Sequence, residues 1–332
     1  MSAHSPANLL AAPSVVDGFT RMPLAAFWAA HRPPASLYLP GPSGEPPKLL
    51  CKRGYELRDE HLQELSSRGM RALYVANSEL AEVSAALLDA LDAIAENARV
   101  EPHERVAIVQ LAEAPAFDVT LRLIHCGKAV AAAQRIGQRL ADLLIGESVD
   151  APALFASLQH DDRASIRATN GAVYGLVLAK RLGLVDADNA AEFAVGALLR
   201  DLGERLIPPQ IVNKPTRLTP ADRTLLESHP TRGYAELRQS SDLTQAQLMI
   251  VYQHHEHVDG GGYPVAIIEQ EIHPWAQAIA VADAFEGLTG RRAWRDALDV
   301  PTALAQLIAG ADRQFNREMV ACWQQALMTS PR

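Results

Sequence analysis

Residues 254–264 read HHEHVDGGGYP, placing two adjacent histidines, a glutamate, a third histidine and an aspartate just ahead of three glycines, a tyrosine and a proline. Three other segments carry ligand-type residues near the ends of expected helices: Asp201 in LLRDLGE, His229 in ESHPTRG and Asp283 in AVADAFE. Neutral imidazoles and carboxylates are the ligands that zinc, manganese and iron accept, and helical bundles build two-metal sites by drawing such residues from several helices. A metal pair of that kind activates water and clamps a phosphoryl oxygen. Taken one at a time, each residue reads more simply as a helix cap or a surface polar group. The crowding at 254–259 shifts the balance toward a site.

The elements expected to hold these residues are mostly helical. YGLVLAKRLGL, EFAVGALLRDLG, PADRTLLESHP and LTQAQLMIVYQHHE all carry helical apolar spacing, and no repeat of fixed period interrupts them. The block at 150–327 therefore reads as one all-helical domain. Ahead of it, 78–149 reads as bridging helices: SELAEVSAALLDALDAIAENA opens on a Ser78 cap, and AVAAAQRIGQRLADLLIG aligns Ile136, Leu140, Leu143 and Leu144. Residues 19–77 read as a small α+β module. ASLYL, PKLLCKRG and MRALYV are its strand candidates, and LRDEHLQELSSRG is a helix with Leu62 and Leu65 inward. Residues 1–18 read as a flexible tail. The fold class expected is mainly α.

Composition narrows the function classes. The 332 residues are 48% hydrophobic and 21% charged, ordinary for a globular protein. A formal charge of −8 argues against a nucleic-acid or anionic-membrane partner. The three cysteines, Cys51, Cys126 and Cys322, match no zinc or redox spacing and read as small buried hydrophobes in a reducing compartment. No basic start precedes an apolar run, and the longest apolar stretches are broken by charge, so neither a signal peptide nor a membrane span is expected. The expected location is the cytoplasm.

HHEHVDGGGYP resembles the HHExxDGxGYP signature of the HD-GYP domain, a subgroup of the HD phosphohydrolases. GLVLAKRLGL, LLRDLGERLIPPQIVNKPTRLT, HPTRG, AIAVADAFEGLT and GRRAWR follow in that family's order, over roughly residues 160–300. The α+β module also resembles a short domain often found ahead of HD-GYP domains. The resemblance implies an all-helical HD-type fold and hydrolysis of cyclic di-GMP, a bacterial second messenger, with two or three iron or manganese ions. It also implies metal ligands at Asp201, His229, His254, His255 and Asp283.

The departures from the family pattern shape the functional expectation. Arg200 stands in place of the histidine of the HD pair, and Glu204 in place of the lysine that helps position substrate and proton. Counting back from RLGL, a further histidine position falls on Arg167 and a glutamate position on Arg163. Replacing one glutamate and two histidines by three arginines moves the formal charge from −1 to +3, a gain equal to two divalent ions. Glu204 takes back two of those charges. Buried Asp201 and Asp283 need a positive partner with or without metal, and a guanidinium forked onto a carboxylate supplies it. The expectation is that Arg163, Arg167 and Arg200 occupy the metals' space and pair with those aspartates.

The remaining residues take supporting roles. Glu256 and Asp259 are expected to orient the histidines and the glycine turn, Gly260, Gly261 and Gly262 to permit a tight backbone path, and Tyr263 and Pro264 to shape the loop. Arg292 and Arg295 match a family segment whose basic side chains hold ligand phosphates and bases, and the alternative is a solvated helix start. His125, His160 and His273 read as surface or packed histidines. No residue is assigned a catalytic role. The reading is a degenerate, catalytically impaired HD-GYP protein of cyclic di-GMP signalling, an effector or interaction module without metal or with partial occupancy. It would bind the dinucleotide, or a protein partner such as a GGDEF-type domain that synthesises it. The alternative is a weak phosphodiesterase with one or two divalent ions (iron, manganese or zinc), one of them held by His229, His254, His255 and Asp283. A purely structural protein with an empty pocket is the third reading.

Overall fold

A computed structural model describes residues 16–28, 32–41, 45–123, 125–239, 242–292 and 294–328. The expected tail at 1–18 falls outside the described residues up to residue 15. The chain divides into two compact units. One comprises the segment through Ala116 with Ala153–Gln159, the other Phe117–Pro152 with the chain from His160 onward. The helices between 78 and 149 are thus shared between them.

The first unit is built on a four-stranded antiparallel sheet in the order β1-β4-β2-β3: β1 Phe19–Pro23, β2 Leu37–Leu39, β3 Lys48–Cys51 and β4 Ala72–Ala76. β1 pairs with β4 from Phe19 opposite Ala76 to Pro23 opposite Ala72. Pro23 has no N–H to donate, which an edge strand tolerates. Three strands fall where the sequence places them, but β1 does not announce itself: FTRMP is short and ends on proline. Helix α1, Asp59–Ser67, buries Leu62, and α2, Leu80–Glu96, buries Val83, Leu87, Leu91 and Ile94 at helical spacing. Ser78 does not cap α2. It lies in a 3-10 turn at Asn77–Glu79, and the N-cap residue is Glu79, whose carboxylate instead accepts from the Ser36 N–H at 3.2 Å. Helix α3, Pro102–Leu121, follows.

The second unit is helical: α4 Gly127–Gly146, α5 Ala151–Ser157 (from Ala153 on assigned to the first unit), α6 Ala164–Arg181, α7 Ala190–Leu199, α8 Pro209–Val212, α9 Pro220–Leu226, α10 His229–Leu237, α11 Gln245–Gln253, α12 Pro274–Thr289, α13 Val300–Gly310 and α14 Arg317–Met328. Helix α6 is buried almost throughout from Ser165 to Ala179, so it forms the core around which α4, α7, α12 and α14 pack. Helix α7 is also buried along its length and packs against α4, α6 and α11. On α4, Ile136, Leu140 and Leu144 face inward as the spacing predicts, while Leu143 is only half-buried. His273 caps α12 by accepting from the Trp275 N–H at 3.1 Å, a structural use for that histidine. Cys51 is buried, but Cys126 and Cys322 are half-exposed rather than packed. Among the described residues no helix is long and apolar enough to cross a membrane.

Candidate metal centre

Four helix ends converge in the helical unit. Helix α7 ends at Arg200, and Asp201 opens the 3-10 turn Leu202–Leu206, which packs on α10. His229 is the first residue of α10, His254 caps the end of α11, and His255 follows it. One ligand atom each from Asp201, His229, His254 and His255 lies within 4.8 Å of all the others. The Nε2 atoms of His229 and His254 are 3.4 Å apart, and each is 3.5 Å from Asp201 Oδ1.

The outer faces of the rings explain this arrangement. His229 Nδ1 lies 2.9 Å from the Leu226 carbonyl, and His254 Nδ1 lies 3.1 Å from the carbonyls of Ile250 and Val251. A carbonyl can only accept, so both Nδ1 atoms carry the proton and both Nε2 lone pairs point inward. Two lone pairs and a carboxylate oxygen facing one another repel unless a cation sits among them. Protonation is a poor remedy, because burial lowers the His229 pKa and lowers that of His255 much further, with the neighbouring imidazoles adding to the effect. Burial would raise the Asp201 carboxyl, but the Arg200 guanidinium beside it outweighs that and holds the group well below the usual range. Bonds of roughly 2.1 Å give tetrahedral ligand edges of about 3.4 Å, so the spacing fits one divalent ion.

Asp283 is engaged elsewhere. Asp283, on α12, does not join the cluster, because Arg200 Nε donates to its Oδ1 at 2.7 Å. The same Nε stands 3.4 Å from Asp201 Oδ2. Asp201 is therefore divided, one oxygen facing the imidazoles and the other the guanidinium. Arg200 is 1% exposed, and its Nη1 donates to the carbonyls of Ala168 and Ala197 and its Nη2 to that of Arg167. Gly171 on α6 makes the room: a Cβ there would lie 2.6–2.8 Å from the guanidinium atoms. The expected pairing of Arg200 with both aspartates is met. The atoms gathered with the three histidines are those of Asp201, while Asp283 faces Arg200.

The other two arginines do not pair with the aspartates as expected. Arg167 donates from Nη2 to Glu204 Oε2 at 2.7 Å, so two positions that differ from the family pattern meet each other. Arg163 precedes α6 and grips Asp161 through Nε and Nη2 at 2.9 and 2.6 Å, a local pair two residues apart. Arg292 is held by Glu286 at 2.6 Å, and that glutamate is only 2% exposed. Arg295 bends back onto the carbonyls of Gly287, Leu288 and Asp296, closing the end of α12. Neither arginine reaches the histidine cluster through these bonds.

The loop after the histidines is held by its own carboxylates. Glu256 accepts from the N–H groups of Val265 and Ile267 at 2.7 and 3.2 Å, and Asp259 accepts from the Gly261 N–H at 2.9 Å. Both bind backbone: Asp259 holds the glycine turn, as expected of it, while neither carboxylate hydrogen-bonds a histidine. Gly262 is required by close approach, since a Cβ would lie 2.3 Å from the His257 nitrogen. Tyr263 stacks on His255 with ring centroids 4.7 Å apart, so the loop covers the cluster. Gly260 turns with φ +78°, and Pro264 follows Tyr263 through a cis bond. A cavity of about 130 Å³ is lined by His254, His255, His257, Asp283, Gln314 and Phe315. Gln314 and Phe315 come from the α13–α14 connection, and no local pattern marks them in advance. Gly171 was equally silent, because a glycine's partner 29 positions away is invisible to helix periodicity.

Comparison with known proteins places this geometry in a family. Residues 154–319 match the model described as the HD domain. The chain is 35% identical over 149 residues to the cyclic di-GMP phosphodiesterase response regulator RpfG of Xanthomonas campestris, covering 45% of this chain and 39% of that protein. It is 31% identical over 144 residues to a cyclic di-GMP phosphodiesterase of Thermotoga maritima, covering 43% and 39%. The chain thus spans about two fifths of the length of these curated relatives. Among solved structures, Bd1817, an HDG"Y"P protein from Bdellovibrio bacteriovorus, superposes with a TM-score of 0.63 at 17% identity, covering 94% of this chain and all of that one. That likeness speaks for the fold alone. The HD-GYP resemblance and the mainly helical fold are thereby supported.

Proposed function

The chain belongs to the HD domain family, and we propose that it is a one-metal, cyclic-dinucleotide-binding effector whose hydrolytic capacity is reduced. The observation that carries this reading is the divided carboxylate of Asp201, with imidazoles 3.5 Å from one oxygen and Arg200 3.4 Å from the other. His229, His254, His255 and Asp201 would hold the ion. When bound, a divalent ion supplies Lewis-acid polarisation of a phosphoryl oxygen. Arg200 cannot take over the work of a second ion on a substrate, because each of its nitrogens already donates to protein acceptors. What Arg200 does is neutralise Asp283 and half of Asp201, which supplies part of the positive charge that metal ions would otherwise bring to these carboxylates.

The substrate class follows from the relatives, which are named for cyclic di-GMP. A protein partner at the loop after the histidines is the accompanying reading, since Val265 and Ile268 are each 50% exposed there. A second reading is residual phosphodiester hydrolysis to the linear dinucleotide. It is favoured by the ligand atoms already being gathered within 4.8 Å.

The test is elemental analysis of protein purified without chelator, followed by titration with cyclic di-GMP and a turnover assay with added manganese or iron. One metal per chain, dinucleotide binding and turnover about 10²–10³-fold below that of a two-metal relative are expected, the size of losing a main electrostatic stabiliser. Turnover comparable to the relatives, abolished by His254→Ala, establishes the second reading instead. Two metals per chain would refute the one-metal site.

A further inference from the structure

Arg167 and Glu204 form an ion pair beside the histidine cluster and outside it. Arg167 Nη2 donates to Glu204 Oε2 at 2.7 Å, and the two side chains are 19% and 20% exposed. The Arg167 carbonyl receives Arg200 Nη2, and the Glu204 carboxylate acts on His229 and Tyr263. Arg167 Nε is buried and donates to nothing. A guanidinium offers five N–H donors in a fixed fork, and Glu204 takes only part of it. Phosphodiester oxygens match such a fork in pairs.

Charge decides when an anion can approach. The guanidiniums of Arg167, Arg200 and Arg292 stand against four carboxylates, Asp201, Glu204, Asp283 and Glu286, which leaves one net negative charge. A divalent ion among the histidines turns that into one net positive charge. The other arginines are poorer receivers. Every Arg200 nitrogen already donates, Arg295 is spent on carbonyls, and Arg292, although its Nη1 also lacks a partner, is sealed against Glu286 with side-chain exposures of 11% and 2%. Of Arg167, Arg200, Arg292 and Arg295, Arg167 with Glu204 is the one both incompletely used and open enough to exchange.

We propose that Arg167 is the anion-contacting residue of this pocket and that Glu204 is a built-in competitor for it. A ligand phosphodiester displaces Glu204 from the guanidinium once the metal is bound. The exchange rests on the site geometry, and only the identity of the anion rests on the cyclic-dinucleotide reading above.

Calorimetric titration of the full chain with cyclic di-GMP, at saturating manganese and after chelation, tests the exchange. Glu204→Gln removes the competitor and is expected to tighten binding by about threefold or more, the scale of a partly exposed ion pair. Arg167→Gln is expected to weaken it by more than about tenfold, and chelated wild type to show no binding. Arg167→Lys, which keeps the charge and loses the fork, falls between them and stands in should Arg167→Gln fail to fold by circular dichroism. Equal or weaker binding by Glu204→Gln, or unchanged binding by Arg167→Gln, overturns the proposal. If wild type binds no dinucleotide, the same variants are titrated with bis(4-nitrophenyl) phosphate. The same ranking there keeps the exchange and overturns the dinucleotide reading, whereas no ranking overturns the exchange.

Discussion

Arg200 donates from Nε to Asp283 Oδ1 at 2.7 Å, from a guanidinium that is 1% exposed. A buried ion pair of this kind adds little over well-packed apolar groups, yet removing one partner strands the other. Here it would strand Asp283, half of Asp201 and three backbone carbonyls at once.

Arg200→Ala is therefore expected to destabilise the helical unit by about 3–5 kcal/mol, measured by urea denaturation. Added manganese or zinc should raise the melting temperature of the variant more than that of wild type, because a second ion can then approach Asp283 and restore the lost positive charge. An equal shift in both proteins would mean that the guanidinium is not standing where a cation could bind.

Gly171 and Arg200 should be energetically coupled. A Cβ at residue 171 meets guanidinium atoms at 2.6–2.8 Å, so Gly171→Ala in wild type is expected to cost about 1–3 kcal/mol through overpacking. In the Arg200→Ala background the same change fills vacated space and should cost almost nothing. A double-mutant cycle by urea denaturation then gives a coupling of at least about 1 kcal/mol, and additive effects would contradict the fit.

Much of the site was legible in the chain because ligand chemistry restricts residue types. His229, His254, His255 and Asp201 stand at helix ends, where helix packing brings them together without any sequence separation rule. Arg200 was legible through its position beside Asp201. Arg163 was not, because an aspartate two residues away captures its guanidinium locally, and such a contest between near and far partners leaves no periodic trace. Asp283 shows the converse: its place on the helix was legible, but its hydrogen bond to Arg200 was not. Arg295 reads in sequence as a ligand-holding side chain or a solvated helix start, whereas the open carbonyls at the end of α12 attract it. In the fold, helices with strong stripes were clear, but the sheet order and strand β1 depend on pairings across some fifty residues.

Stability should fall as the pH drops from about 6.5, where unfolded histidines begin to protonate. Burial depresses the pKa of His229 and depresses that of His255 further, so the folded state resists protons that the unfolded chain accepts. The unfolded chain then binds more protons, and stability rises with pH across that window. Asp201, held well below the usual range despite its burial, has the same sign in a more acidic window: its contribution is present above ordinary carboxylate pKa values and lost below them. Urea midpoints of metal-free protein at pH 7.5, 6.5 and 5.5 are the check, numbers chosen to bracket the unperturbed histidine value of about 6.5. The slope should flatten in His255→Gln, and a flat wild-type profile would contradict the assignment.

Glu256 tests whether the loop and the metal cluster are separable. The side chain is 2% exposed and accepts two backbone N–H groups, those of Val265 and Ile267, with no hydrogen bond to a histidine among the described residues. Glu256→Ala leaves both donors without that acceptor, at about 1–3 kcal/mol for each one that stays buried. The loop should then open locally before the helices do, so amide exchange at Val265 and Ile267 accelerates. Tyr263 leaves its stack on His255 as the loop loosens, which should weaken the metal by no more than about tenfold, at the low end for a neighbouring partner. Metal stoichiometry should stay at one per chain. Loss of metal with unchanged exchange at those two amides would mean that Glu256 acts on the histidines instead.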